Sequence, residues 1–344
     1  MIRNTIKGRK VILTLSQTIK RGVQFMIRIT DVTLCTINYK SAPKDLLLKL
    51  YKLLLQTGVN FIEITIPILN LIGQSIDQSK TILRVGHPAE IKYHMGFIRY
   101  VCRHSGFEVP SGTISEIQVN DIREINILNR FSGYENIRIV GMDDLLQHDY
   151  LNVFDRLKRI NGSQPEFCPQ NNYYCATALA VEWILNGGDS IAASFCGNGG
   201  YAALEEVIMA LRITKRHKPN QDLAILRELK SIFEELSGIV IAQNKPVIGD
   251  RIFDVESGIH VDGIFKNGAT YEPFEPSVVG MERRIIAGKH SGRTTIEIKL
   301  KEYGLEFPKE RISELLGNVQ HMSISLGRSI TDQEFIKLAY NFTK

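Results

Sequence analysis

The stretch ITDVTLCTIN, residues 29–38, reads as a β-strand running into a turn: Ile29, Val32 and Leu34 are β-formers, with Asp31, Thr33 and Thr36 between or after them. In an α/β barrel, chemistry is done at the C-terminal ends of the strands, where a charge or a metal ligand is usually delivered. This strand delivers Cys35, Thr36, Ile37 and Asn38. Other reactive side chains lie far along the chain. His260 in ESGIHVDG is an imidazole able to move a proton near neutral pH, and Tyr271 in TYE is a phenol able to donate a hydrogen bond. A lone histidine in an apolar setting is more often structural. Lys289, His290 and Arg293 in GKHSGR have the residue types of an anion site, and a glycine-flanked turn accounts for them slightly better. CGNGG, 196–200, resembles a phosphate loop, but no Lys-Ser/Thr follows, which leaves a tight turn.

The elements that must position these residues alternate between strand and helix. SAPKDLLLKLYKLLLQTG (41–58) predicts a helix opened by Pro43, with Leu46, Leu47, Leu50, Leu53 and Leu54 on one face and Gly58 as its stop. VNFIEITIP follows as a strand closed by Pro67, giving a βαβ unit and so a parallel sheet. Residues 87–106 predict a helix from Pro88 to near Gly106. ENIRIVGMDD and PEFCPQNN predict strands with polar ends. YCATALAVEWILNGG predicts a helix, DSIAASFCGNGG a strand entering a glycine turn, and YAALEEVIMALRI the next helix. Such alternation fits a barrel or a doubly wound sheet, and the absence of a glycine fingerprint after the first strand disfavours a dinucleotide fold. Beyond about residue 240 the chain becomes rich in Gly, Pro and His, then closes with helices in PKERISELLGNVQHM and TDQEFIKLAYNF.

Composition narrows the function class. The chain has 344 residues, 44% hydrophobic and 23% charged, as in globular proteins. A net charge of +5 without a basic run interleaved with aromatics excludes nucleic acid as a partner. Cys35, Cys102, Cys168, Cys175 and Cys196 form no CxxC pair, as expected of reduced thiols in a cytoplasmic protein. No apolar run reaches the ~18 residues of a membrane span. The first 30 residues carry seven basic and no acidic side chains, which reads as a basic N-terminal extension or, less well, as a transit peptide.

The run ESGIHVDG, K266, TYE, VGMERR and GKHSGR, within 237–297, resembles the segment that follows the barrel in the homocitrate synthase and isopropylmalate synthase family. DSIAASFCGNGGYAALEEVIMAL and GVNFIEITIP resemble that family's late strand, turn and helix and its second strand, with Glu63 at the acidic position. The resemblance covers roughly residues 27–300, weakly between 70 and 165. It implies a (β/α)8 TIM barrel with a degenerate active site, followed by small α+β and helical C-terminal subdomains. The expected division is a basic extension (1–26), the barrel (27–240), and lid and linker subdomains with a helical tail (241–344).

The family condenses acetyl-CoA with a 2-oxo acid at a divalent metal held by a carboxylate in TLRDG and an H-x-H pair. Here the arginine and carboxylate positions are Cys35 and Thr36, the H-x-H positions are Cys168 and Gln170, and the glycine turn is shorter and lacks GER. Hard divalent ions want carboxylate and imidazole ligands, so this chain is expected to bind no metal or cofactor; a zinc site from Cys35 and Cys168 is a poor alternative. The lid residues persist. The resemblance implies that His260 and Tyr271 assist proton transfer in trans, on a homologous metal-bearing alpha subunit acting on acetyl-CoA and 2-oxoglutarate. Glu63, without an arginine at 35, is expected only as an ion-pair partner. The alternative is a non-catalytic scaffold or regulatory paralogue.

Overall fold

A computed structural model describes residues 26–38, 42–103, 108–160, 164–220 and 222–343. Apart from Met26, the basic N-terminal extension lies outside the described residues.

Eight parallel strands close a barrel: β1 (Arg28–Asp31), β2 (Phe61–Thr65), β3 (Thr81–Val85), β4 (Arg99–Arg103), β5 (Ile114–Val119), β6 (Ile137–Gly141), β7 (Glu166–Pro169) and β8 (Ser190–Ala193). β1 shuts the ring by pairing with β8, Arg28 to Ser190 through Asp31 to Ala193. The inside is stacked in layers, as barrel interiors are. Phe61, Ile82, Val101 and Ile114 fill the N-terminal end. Val32, Val140, Cys168, Ala192 and Tyr201 fill the C-terminal end. Charged residues occupy the middle.

The outer layer is uneven. A short helical turn α1 (Thr33–Thr36) precedes α2 (Lys44–Gln56), which buries Leu47, Leu50, Tyr51, Leu53 and Leu54 against the barrel. Gly58 ends α2 at φ +90°, and a Cβ there would come 2.8 Å from Pro219, so both conformation and space demand glycine. α3 (Ile66–Ile72), α4 (Tyr150–Arg159), α5 (Ala176–Leu185), α6 (Leu204–Thr214) and α7 (Leu226–Ser237) cover the remaining sectors, with α7 packed on α2. Around β3 to β5 the described residues hold only 3-10 helices, Gln78–Lys80, Pro88–Tyr93 and Ile122–Phe131.

The helix expected over 87–106 is absent. His87 caps the short 3-10 helix, with Glu90 completing a capping box. Gly96, at φ +105°, then turns the chain out of any helical course, and Arg99–Arg103 forms β4; residues 104–107 lie outside the described residues. RYVCR alternates inward and outward side chains, and the turn residues before it had masked that period of two.

After the barrel, β9 (Asp254–Val255) and β10 (Arg284–Ile285) form a two-stranded parallel sheet. α8 (Gly258–Asn267) follows β9, and α9 (Arg293–Glu302), α10 (Ile312–Leu326) and α11 (Asp332–Thr343) follow β10. Ile241, Val247, Ile248, Phe253, Val279 and Met281 belong to the barrel's apolar core. Ala287, Ile296, Leu300, Leu315, Val319, Ile330 and Phe335 build a second core.

Candidate functional site

β1 stops at Asp31, earlier than its sequence suggests. The buried Asp31 carboxylate accepts hydrogen bonds from the Thr33 N–H (3.1 Å) and Oγ (2.6 Å), which bends the chain into α1. Cys35 and Thr36 therefore ride on a helical turn and not on a strand end. The Cys35 thiol lies 3.4 Å from the Glu63 carbonyl and 3.6 Å from its carboxylate. Burial, and next the Glu63 charge, push its pKa well up, so it stays a neutral thiol. Thr36 Oγ donates to the Thr33 carbonyl (2.7 Å) and accepts from Asn198 Nδ2 (2.7 Å). The glycine turn presses on it: a Cβ at Gly199 would sit 2.6 Å from the Thr36 methyl.

Cys168 on β7 is packed among Val32, Val140, Ala192 and Tyr201, and burial raises its pKa. Gln170 accepts from Gln118 Nε2 at 2.8 Å, and its backbone bridges to Tyr201. Asn171 N–H donates to the Gly200 carbonyl at 2.9 Å. The shortened β8 turn is thus fastened to the ends of both β1 and β7. These residues do not fit a divalent metal: two protonated thiols, a hydroxyl and an amide, all engaged, are the wrong donors. Among the described residues no group of three or more His, Cys, Asp or Glu side chains is arranged to hold a metal ion.

Below the mouth lies an ionic layer that sequence reasoning missed except for Glu63. Arg84 on β3 binds Glu63 on β2 (2.5 Å) and Glu116 on β5 (2.5 and 2.9 Å). Arg138 on β6 binds Glu63 (2.5 Å), Glu116 (3.3 Å) and Glu166 on β7 (2.6 Å). Thr30 Oγ donates to Glu166 at 2.5 Å. Glu63 is the ion-pair partner its position suggested. Burial would raise its pKa, but Arg138 and Arg84 outweigh burial and hold it below the usual range. Glu116, less deeply buried, is lowered to about 2: burial would raise it, but Arg84 and then Arg138 outweigh that. The signal was present in TILRV, ISEIQV, IRIVG and EFCP, each with one charge at an inward, period-two position.

The lid residues have a different setting. His260 is exposed on α8, and its ring lies 5.0 Å, centroid to centroid, from that of half-exposed Tyr271, tilted 51°. A Cβ at Gly263 would fall 2.2 Å from the Tyr271 ring, so glycine there lets the phenol lie against the helix. Both rings line a cavity of about 640 Å³ with Asp254, Glu256, Glu272 and His290. It shares no residue with the barrel mouth. Of GKHSGR, the Lys289 N–H is taken by Ser323 Oγ (3.1 Å) and the His290 N–H by Glu256 (2.8 Å), and Arg293 pairs with Glu297. With its amides used internally, this segment is a structural turn.

Residues 247–325 match the family model described as homocitrate synthase post-HMGL domain-like. The chain is 34% identical over 236 residues to the homocitrate synthase omega subunit of Clostridium pasteurianum, covering 67% of each chain. The chain belongs to the homocitrate synthase and isopropylmalate synthase family. Other members are similar over less. A 2-isopropylmalate synthase of Caldanaerobacter subterraneus subsp. tengcongensis is 36% identical over 65% of this chain and 59% of its own length. The homocitrate synthase AksA of Methanocaldococcus jannaschii is 38% identical over 48% of this chain and 41% of its own length. An HMG-CoA lyase of Acinetobacter baumannii, solved with coenzyme A and 3-methylmalate, superposes with a TM-score of 0.50 at 13% identity, over 63% of this chain and 93% of that one. That last likeness concerns the barrel fold alone. No helix among the described residues is long and apolar enough to cross a membrane.

Proposed function

We propose that this chain is one subunit of a two-chain homocitrate synthase of the cytoplasm, serving the biosynthesis of the nitrogenase iron–molybdenum cofactor. In this reading its barrel is a platform without metal, and its lid completes the site of a homologous, metal-bearing alpha subunit. The reaction removes a methyl proton from acetyl-CoA, joins the resulting carbanion to the ketone carbon of 2-oxoglutarate, and hydrolyses the thioester, releasing CoA and homocitrate. The partner's metal supplies the Lewis acidity that polarises the ketone. His260 carries a proton to or from the reacting groups, and Tyr271 orients the imidazole or donates a hydrogen bond beside it.

One contrast carries the proposal. Thr36, at the family's carboxylate position, is locked to Asn198 under the glycine turn, whereas His260 and Tyr271 stand ring to ring in an open cavity. The name of the Clostridium relative, an omega subunit, supports the two-chain arrangement.

The test mixes the purified chain with a metal-competent homologue and follows CoA release with 2-oxoglutarate as acceptor. The chain alone is expected to be inactive and the mixture active, and His260→Ala should lower kcat by ~10²–10⁴-fold, the usual worth of a positioned proton-transfer group. Full activity of that variant mixture would leave only a scaffolding role.

A further inference from the structure

We infer that Glu256 is a positioning residue that sets His260 in place by locking ESGIH to GKHSGR and to the helical tail; the inference rests on the proposed role of His260. Glu256 directly follows β9 and lies four residues before His260, two before α8 begins. Its Oε1 accepts from the His290 N–H at 2.8 Å, and its Oε2 accepts from Ser329 Oγ at 2.7 Å. The carboxylate lies against the bare Cα of Gly288: a Cβ there would come 2.6 Å from the carboxyl carbon.

The contact is continued by backbone. β9 and β10 run parallel, and the Ile286 N–H donates to the Val255 carbonyl at 3.0 Å. At the start of α8, a Cβ on Gly258 would lie 3.0 Å from the Cα of Gly292, so two glycines let the helix N-terminus touch the turn. The turn is itself immobilised on α10, through Lys289 N–H to Ser323 Oγ and Gln320 Nε2 to the Ser291 carbonyl at 3.0 Å. Among these links, Glu256 is the side chain that ties ESGIH to both the turn and the tail, with both carboxylate oxygens used. Alanine removes both acceptors. Glutamine keeps one oxygen for the His290 N–H and offers its amide N–H to Ser329, whose hydroxyl accepts as well as donates.

Two measurements test this. In the isolated chain, Glu256→Ala should raise amide hydrogen exchange across α8 by about tenfold or more, with Glu256→Gln near wild type, as expected when a helix loses its anchor but the global fold stands. In the reconstituted mixture, Glu256→Ala should lower kcat by ~10–100-fold with KM for acetyl-CoA unchanged, since a small misplacement of a catalytic group costs rate and not ground-state binding. Glu256→Gln should restore most of it, and adding His260→Ala to Glu256→Ala should cost no more than His260→Ala alone. Unchanged exchange in α8, or losses that multiply in the double variant, would overturn the inference. Exchange that moves while the wild-type mixture makes no homocitrate would keep the anchoring and discard the proposed function.

Discussion

Arg138 Nη1 and Glu63 Oε2 meet at 2.5 Å inside the barrel with neither side chain reached by solvent. Three carboxylates, Glu63, Glu116 and Glu166, share this guanidinium. The pairs compensate one another's desolvation only while all members are present. Arg138→Met should therefore destabilise the fold by roughly 3–5 kcal/mol, the cost of stranding buried charge. Urea denaturation should report it as a lower midpoint with little change in slope. A midpoint equal to wild type would mean that the layer is hydrated.

Stability should pass through a maximum on the acid side of neutrality. Glu63 and Glu116 have lowered folded pKa values, Glu116 about 2, so their contribution is complete above the ordinary carboxylate range and fades as pH falls through the folded values. Asp31 and Glu205 behave in the opposite sense. Burial raises both to about 7, so between the ordinary carboxylate range and about 7 the fold holds protons that the unfolded chain has released, and stability is lost as pH rises across that interval. Urea midpoints measured from pH 3 to 8 should rise, peak at about pH 4, where the unfolded carboxylates titrate, and fall toward pH 7. Asp31→Asn with Glu205→Gln should flatten the upper limb and leave the acid limb intact.

What the sequence made legible follows from which faces of an element are buried. α2, β2, β6, β7, α5, β8 and α6 could be read because apolar spacing and terminal Gly or Pro agreed. β3 and β5 were not read, and their inward charges, Arg84 and Glu116, do not by themselves account for it, since β6 and β7 carry Arg138 and Glu166 at like positions. Each charge alone looks like the solvated side of a strand; only the closed ring brings Arg138 on β6 to Glu63 on β2, four strands earlier in sequence. His260 and Tyr271 were legible through the motif around them. Glu256 was not, because its partners, His290 and Ser329, come from distant segments.

The cysteines offer a check on the barrel mouth. Cys35 and Cys168 are held as thiols by burial, and Cys102 is buried as well. Thiol nucleophilicity requires the thiolate. At pH 8 a disulfide reagent should label partly exposed Cys175 ahead of Cys35, which is also partly exposed but whose thiol burial and Glu63 hold neutral, with Cys168 reacting only on unfolding. Zinc should not slow the labelling of the last two in the native chain or protect them, since the carboxylate beside Cys35, Glu63, is held by Arg84 and Arg138. Zinc-dependent protection of both would establish a metal site at the mouth.

Tyr271 and Gly263 separate ring position from hydroxyl chemistry. Tyr271→Phe keeps the ring against Gly263 and beside His260 but deletes the phenolic O–H. If that hydroxyl acts in proton transfer, kcat of the reconstituted enzyme should fall by ~10–100-fold, within the range of one lost catalytic hydrogen bond, with affinity for the partner unchanged. Gly263→Ala attacks the same pair from the other side, because its Cβ would stand 2.2 Å from the ring and drive it off the helix. Its loss should match or exceed that of Tyr271→Phe, and the two changes together should cost no more than Gly263→Ala alone. Were Gly263→Ala harmless while Tyr271→Phe was not, the hydroxyl would have to work from some other ring position than the one packed on α8.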